Sequence, residues 1–583
     1  MKNIQKTAAG SRDRVANGYR LSAIGYRLFC VGLIFIFQFS FFSPTKAQGI
    51  LGGHVTGNVQ LDGQMSHADS VIGADDVPEK LLMNARADIL YSNGDFNAGL
   101  RLEMYQNPLL GFDAQWKGSG VANYYVSYKT EKFGITAGHF YEQFGSGMIL
   151  RTYEDRYLGL DNALFGVNVY VRPVEGVTIK ALAGRQRYYW EMAEGLVRGV
   201  DGEVNLNSVL SFMKESKFRA TLGAGFVSKY EEDELIPSED PTMRLNLPLN
   251  VGAASFRADL GYGNWSLQAE YAHKGQDPWI DNKYVYHEGN ALLLNLNYSQ
   301  RGFSAGIQAK RIDNMGYKSM RSLSGEMLYI NYLPAITKNH TYAFLTMYPY
   351  ATQVNGEQGL QADVMYKFKK GTLLGGEYGT DLHLNGSLVA GLDTTITGGA
   401  GTEGYTVNGG LGETLYGDVS LEIAKKLSKA VKLTVTYAYQ VFNPVVEGEG
   451  HKGLPLIHNH VAIADLSWKL NKKHSLRFEA EWLCSDSYYD ESDDHHSDRR
   501  AGDWLMGLVE WNIGTHWFIS LSDQVPYNDG IGNYYNLSVG YTHGATRFQL
   551  GYGKQREGLL CIGGICRQVP ASNGLTFSLT TSF

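Results

Sequence analysis

The stretch Lys432–Phe442, Lys-Leu-Thr-Val-Thr-Tyr-Ala-Tyr-Gln-Val-Phe, decides the fold. Leu433, Val435, Tyr437, Tyr439 and Val441 fall on one side of an extended chain. Lys432, Thr434, Thr436, Ala438 and Gln440 fall on the other. Successive side chains of a strand point to opposite faces, so this period of two predicts a strand with one greasy and one wet face. The same pattern returns at Phe96–Tyr105, where Leu100 and Leu102 oppose Arg101 and Glu103. It returns at Leu360–Lys369 (Leu360, Ala362, Val364 and Tyr366 against Gln361, Asp363 and Lys367), and again where Leu476, Phe478, Ala480 and Trp482 oppose Arg477, Glu479 and Glu481.

These segments run to about ten residues, the length a tilted strand needs to cross a bilayer. Tight polar turns join many of them: Asn93-Gly94-Asp95, Pro173 to Gly176, Gly263-Asn264 and Asn471 to His474. Each turn links two alternating segments into an antiparallel hairpin. Longer Gly-rich or acidic connections lie between hairpins, and this short-then-long rhythm marks a transmembrane barrel. The fold expected is all-β, a single large antiparallel barrel of about 22–26 strands with long extracellular loops, some of which fold inward. A soluble β-sandwich also alternates, but here the wet face carries full charges of both signs, among them Arg86, Asp88, Arg101 and Glu103. The last residues repeat the rule. Leu575, Phe577, Leu579 and Phe583 share a face against Thr576, Ser578, Thr580 and Ser582, the form of terminal strand read as an insertion signal by barrel-assembly machinery.

The 583 residues include 69 Gly and 38 Tyr but only 14 Pro. Abundant Tyr suits the aromatic girdles of a barrel. The net charge of −7 without clustered basic surface excludes a nucleic-acid partner. Lys2, Lys6, Arg12, Arg14, Arg20 and Arg27 precede an apolar run from Leu28 to Phe42, then Ser43-Pro44-Thr45-Lys46-Ala47. Residues 1–47 therefore read as a signal peptide cleaved near Ala47, and 48–583 as the barrel. No later stretch is apolar enough for a helical span. The expected location is the outer membrane, with its lipid as the surrounding solvent and other outer-membrane proteins as further partners. Strands are expected to start near Met83, which leaves no room for a globular plug domain, although Asp62 to Glu79 is a candidate for folding inward.

Three insertions break the spacing: Lys229–Pro248, Asp313–His340 and the Gly- and Thr-rich Asn385–Gly412. Such loops act as surface caps or lumen constrictions. The densest polar constellation runs from Glu142 to Asn162, with Arg151, Glu154, Asp155, Arg156 and Asp161, followed by Arg185 and Arg187. Facing the lumen, these groups would line a passage with both signs of charge. The alternative is a latch in which opposite charges fasten an inward loop to the wall. Cys561 and Cys566, enclosing Ile-Gly-Gly-Ile, form a candidate disulfide for an oxidising compartment, and Cys484 is left over. Asp493-Asp494-His495-His496 has metal-binding residue types, yet all lie in one hydrophilic stretch and read better as a solvated loop. No cofactor, metal or catalytic residue is assigned.

Three motif groups look familiar: Phe140-Tyr141-Glu142-Gln143-Phe144-Gly145-Ser146-Gly147, Asn331-Tyr332-Leu333-Pro334-Ala335 with Pro349-Tyr350-Ala351-Thr352-Gln353, and Cys561-Ile562-Gly563-Gly564-Ile565-Cys566-Arg567. With them the mature chain resembles an uncharacterised family of large outer-membrane proteins of bacteroidete-type bacteria. That resemblance implies a barrel in the outer membrane and brings no substrate. The expected function is a channel or transporter for polar solutes. The alternatives are an assembly subunit of a secretion or surface complex and, least favoured, an outer-membrane hydrolase.

Overall fold

A computed structural model describes residues 52–237, 242, 244–397, 402–448, 451–487, 500–527 and 532–583. Residues 1–47, read from sequence as a signal peptide, and residues 493–496, read as a solvated loop, lie outside the described residues.

Twenty-four antiparallel strands form one sheet that closes on itself. The first strand, His54–His67, pairs with the last, Ser572–Ser582, from Asn58↔Ser582 to His67↔Asn573. Closure removes every free sheet edge, the condition for a sheet to survive in hydrocarbon. The Val431–Phe442 strand obeys its sequence pattern: Thr434, Thr436, Ala438 and Gln440 are buried inside, while Val435 and Tyr437 stand exposed outside. The outer surface is apolar all round. Phe256, Leu360, Val419 and Leu521 are each more than half exposed. Exposed apolar surface of that extent is unfavourable in water at about 25 cal/mol per Å² and neutral in lipid.

The first strand begins at His54, well before Met83. Gly57 and Gly63 occupy two outward positions of its apolar face and blunt the alternation. Their bareness is used at the seam: a Cβ on Gly57 would lie 2.2 Å from the Phe583 ring, and one on Gly63 2.2 Å from the Phe577 ring. The rings of the terminal strand thus lie over the two glycines, as aromatic side chains cover strand glycines elsewhere. The inward stretch correspondingly shrinks. Asp62 to His67 belong to the wall, and the turn beyond them buries Ile72 and Ala74 inside the barrel.

The insertions differ in kind. Asn385–Gly412 is mostly not a loop, because its strands continue to Ile396 and resume at Tyr405, forming a hairpin that projects past the rest of the wall. Lys229–Pro248 begins within the Phe218–Tyr230 strand and then leaves it. Residues 314–355 turn into the barrel.

Candidate functional site

Three connections from one end of the barrel meet in the lumen: residues 141–163, 314–355 and 556–571. Arg151 N donates to Ile330 O (2.9 Å) and Tyr332 N to Gly147 O (3.0 Å), stitching the first two together as a short backbone ladder. Asn331 Nδ2 donates to Met148 O (3.0 Å) and Met315 O (2.8 Å), and Asn162 Nδ2 to Tyr329 O (3.0 Å). The third connection is the hairpin Gly558–Ile562 and Ile565–Val569, across which Cys561 and Cys566 are joined as a disulfide. Its turn touches the second connection, accepting at Gly563 O from Tyr332 Oη (2.7 Å) and at Gly564 O from Thr352 N (2.9 Å). Glycine is required there, since both residues have positive φ and a Cβ on Gly563 would strike the Tyr332 hydroxyl.

This composite plug packs on the wall through two apolar clusters. One gathers Phe144, Met148, Ile149 and Ile330 against Leu182, Val227 and Ala272. The other gathers Ile336, Phe344 and Tyr348, with Ile72 from the turn after the first strand, against Phe442 and Trp504. Between them the wall presents buried carboxylates to backbone amides of the plug. Glu270 accepts from Ser146 N (2.7 Å), Glu357 from Gln353 N (2.7 Å), and Glu481 from Ala343 N and Phe344 N (3.0 and 2.9 Å). Each satisfies amides that would otherwise be buried without a partner.

At the wall beside residues 141–163 lies a network of alternating charge. Arg187, 1 % exposed, pairs with Glu103 (2.6 Å) and Asp161 (2.7 Å). Arg101 reaches Asp88 (2.8 Å), Asp161 (3.1 Å) and Glu154 (3.2 Å). Arg86 binds Asp88 (2.7 Å) and also Glu154. Tyr141 Oη donates to Asp161 (2.9 Å). Four of the residues singled out from sequence are placed in or beside this network: Glu154, Asp155, Arg156 and Asp161. Asp155 spends its carboxylate on the amides of Tyr157 and Leu158 (2.9 and 3.0 Å). Asn162 accepts from Tyr153 N (2.6 Å). Glu142 lies apart, holding Lys180 (2.8 Å) and Asn168 (2.8 Å). Arg151 stacks on Tyr332, its guanidinium carbon 4.0 Å from the ring centre. Burial pushes the Tyr332 phenol above its usual range, with Arg151 opposing.

Arg185 does not join them. On the Val177–Tyr188 strand it is exposed, out of phase with the buried Leu182, Gly184 and Gln186, and so stands on the outer face. A register shift between Arg185 and Arg187 then breaks the alternation. Gln186 and Arg187 are consequently both buried, and Arg187 takes an inward position that its spacing from Arg185 would deny it. The wall members Arg86, Asp88, Arg101 and Glu103 are visible in the sequence as charges on wet faces, but nothing local ties them to Asp161.

Beside the network the plug leaves a cavity of about 570 Å³, lined by wall residues such as Gln60, Asp62 and Thr580 and by Phe112, Arg156 and Arg567. Its wall side carries the long side chains of Arg547 and Gln549 beside the short ones of Thr576 and Thr580. A second cavity of about 510 Å³ lies under residues 143–146, lined by Lys180, Asp201, Arg257 and Glu270.

The profile of DUF6029, described as a family of unknown function, matches residues 26–583. No curated protein matches the chain. Among solved structures, the P pilus usher (PapC) translocation pore aligns at 11% identity with a TM-score of 0.41, covering 91% of this chain and 99% of that one. The siderophore receptor PirA of Pseudomonas aeruginosa aligns at 9% identity and 0.38, covering 91% and 80%. A mutant of the ferric enterobactin receptor PfeA of the same organism, in complex with enterobactin, aligns at 12% and 0.41, covering 91% and 81%.

Proposed function

The chain belongs to DUF6029, a family of unknown function, and we propose that it is an outer-membrane barrel serving as a plugged channel or transporter for polar solutes. The observation that carries this reading is the cavity, rich in charged and amide side chains, left between the plug and the wall of a closed 24-stranded ring. A ring of this size encloses more space than its own side chains fill. Here three connections pack into it, and the space beside them is lined by charged and amide groups together with Phe112 and Trp116. By the rule that periplasmic turns are short and external connections long, the plug is built from the outer side. Residues 1–47 act as the signal peptide, and the terminal strand addresses the barrel-assembly machinery.

The test is conductance in planar bilayers of the full chain and of a variant whose residues 314–355 are replaced by a short Gly-Ser turn. The full chain is expected to give small, infrequent steps and the variant large, steady ones. Baseline current from both, with both shown to be inserted, would refute the channel and leave the assembly subunit as the better reading.

A further inference from the structure

The acids and bases around the 570 Å³ cavity are not equally satisfied. Every carboxylate of the adjoining network is taken up by arginines: Glu103 by Arg187, Asp88 and Glu154 by Arg86 and Arg101, Asp161 by Arg101 and Arg187. Asp155 is occupied by two backbone amides and Asp62 accepts from Gln60 (2.7 Å). Three guanidiniums lining the same cavity are left with donors to spare. Arg547 donates once, to Gln549 (3.3 Å), and lies over the Phe518 ring. Arg567 donates once, to Leu110 O (3.4 Å), stacks on Phe112 (4.3 Å), and has a buried Nε with no partner. Arg156 donates to Gln60 (2.6 Å) and meets Glu154 and Asp88 only at 3.5 and 3.7 Å. Each guanidinium carries five N–H donors.

The registers set their spacing. Arg547, Thr580, Gln60 and Arg86 follow one another across four neighbouring strands. Arg547 and the Gln60-bound Arg156 therefore stand at one level, two strands or about 10 Å apart along the wall. Leu110, which holds Arg567, itself donates to Gln64 (3.3 Å). Gln64 lies four residues along the strand from Gln60, about 13 Å higher. The three guanidiniums thus form two stations along the barrel axis.

We propose that this cavity is an anion site in which Arg547, Arg156 and Arg567 take a ligand bearing carboxylate or phosphate groups on a polar body. The inference deepens the channel reading by naming the class of solute, and it rests on that reading only for transport. Planar bidentate donors match carboxylate and phosphate oxygens, and a buried Nε without a partner is satisfied by such an oxygen. A neutral solute would give these donors only the weaker bonds of uncharged oxygens, and a cation would face them directly.

The test is isothermal titration calorimetry on the full barrel in detergent, with citrate, inorganic phosphate and maltotriose as probes. Citrate and phosphate are expected to bind and maltotriose not to. Arg567→Ala and Arg547→Gln are each expected to weaken citrate about tenfold. Arg567→Lys should recover part of the loss, and Lys367→Ala, whose amine pairs with Asp381 on an exposed stretch, should lose none. A shift in gel migration between unheated and heated samples verifies folding of each variant. Maltotriose binding as tightly as citrate, or anions binding equally to all variants, would overturn the proposal. Binding with a silent bilayer refutes the channel and keeps the site. Conductance without anion binding or anion selectivity does the reverse.

Discussion

Substituting Glu357→Ala removes one of the wall carboxylates that hold the plug. Glu357 is fully buried, pairs with Lys310 (2.5 Å), and accepts from Gln353 N (2.7 Å) and from the Tyr350 hydroxyl. Lys310 is itself buried and would keep only Pro334 O (2.5 Å) as a partner. Breaking a buried ion pair by deleting one member costs about 3–5 kcal/mol, since the surviving charge stays desolvated. That cost falls on the docking of residues 350–353, not on the hydrogen-bonded ladder of the wall. The undocked population of this part of the plug should rise between about a hundredfold and a few thousandfold. Hydrogen exchange read by mass spectrometry on peptides covering 340–356 should show that acceleration, while peptides from Val431–Phe442 stay protected. Glu357→Gln keeps an acceptor for the Gln353 amide but loses the charge, and should fall between. Wild-type exchange in the Ala variant would refute the claim that wall carboxylates hold the plug. Equal acceleration throughout the barrel would refute the separation of plug from wall.

Arg187→Ala deletes the inward partner of Glu103 and Asp161 and should destabilise by about 3–5 kcal/mol, whereas Arg185→Ala removes a charge from the lipid-facing side and should not destabilise, both read in urea titrations of the refolded barrel. Gly63→Val drives a side chain into the Phe577 ring and should cost about 1–3 kcal/mol, seen as a lower yield of heat-modifiable barrel, with Gly63→Val/Phe577→Ala recovering part of it. Reducing Cys561–Cys566 frees a loop whose closure contributes about 2 kcal/mol, so trypsin should cut after Arg567 faster in dithiothreitol than without it.

Alternation makes the wall legible because a barrel strand has a different solvent on each side, and the sequence of each strand records both. Where glycine stands on the lipid side the record is blank, which is why His54–His67 does not read as a strand. Asn385–Gly412 misleads for a related reason: Gly and Thr read as loop although the backbone stays paired to Ile396. The site is legible only in part. The 142–162 cluster marks where chemistry gathers, but Arg187 meets Glu103 across 84 positions and Arg101 meets Asp161 across 60. Pairings that distant are set by strand order, which periodicity does not encode. Arg185 and Arg187 are two apart, so strict alternation puts both on one face. The register shift between them sends one to lipid and the other to the lumen, and nothing in the residue types announces it.

The disulfide hairpin directly precedes the strand that completes the ring. One continuous segment therefore supplies both a piece of the interior and the strand that shuts the shell. Its turn at Gly563 and Gly564 holds Tyr332 and Thr352, so the closing strand carries with it the clasp on residues 314–355. The ring and its contents are thus joined at one seam, and loosening either is felt by the other.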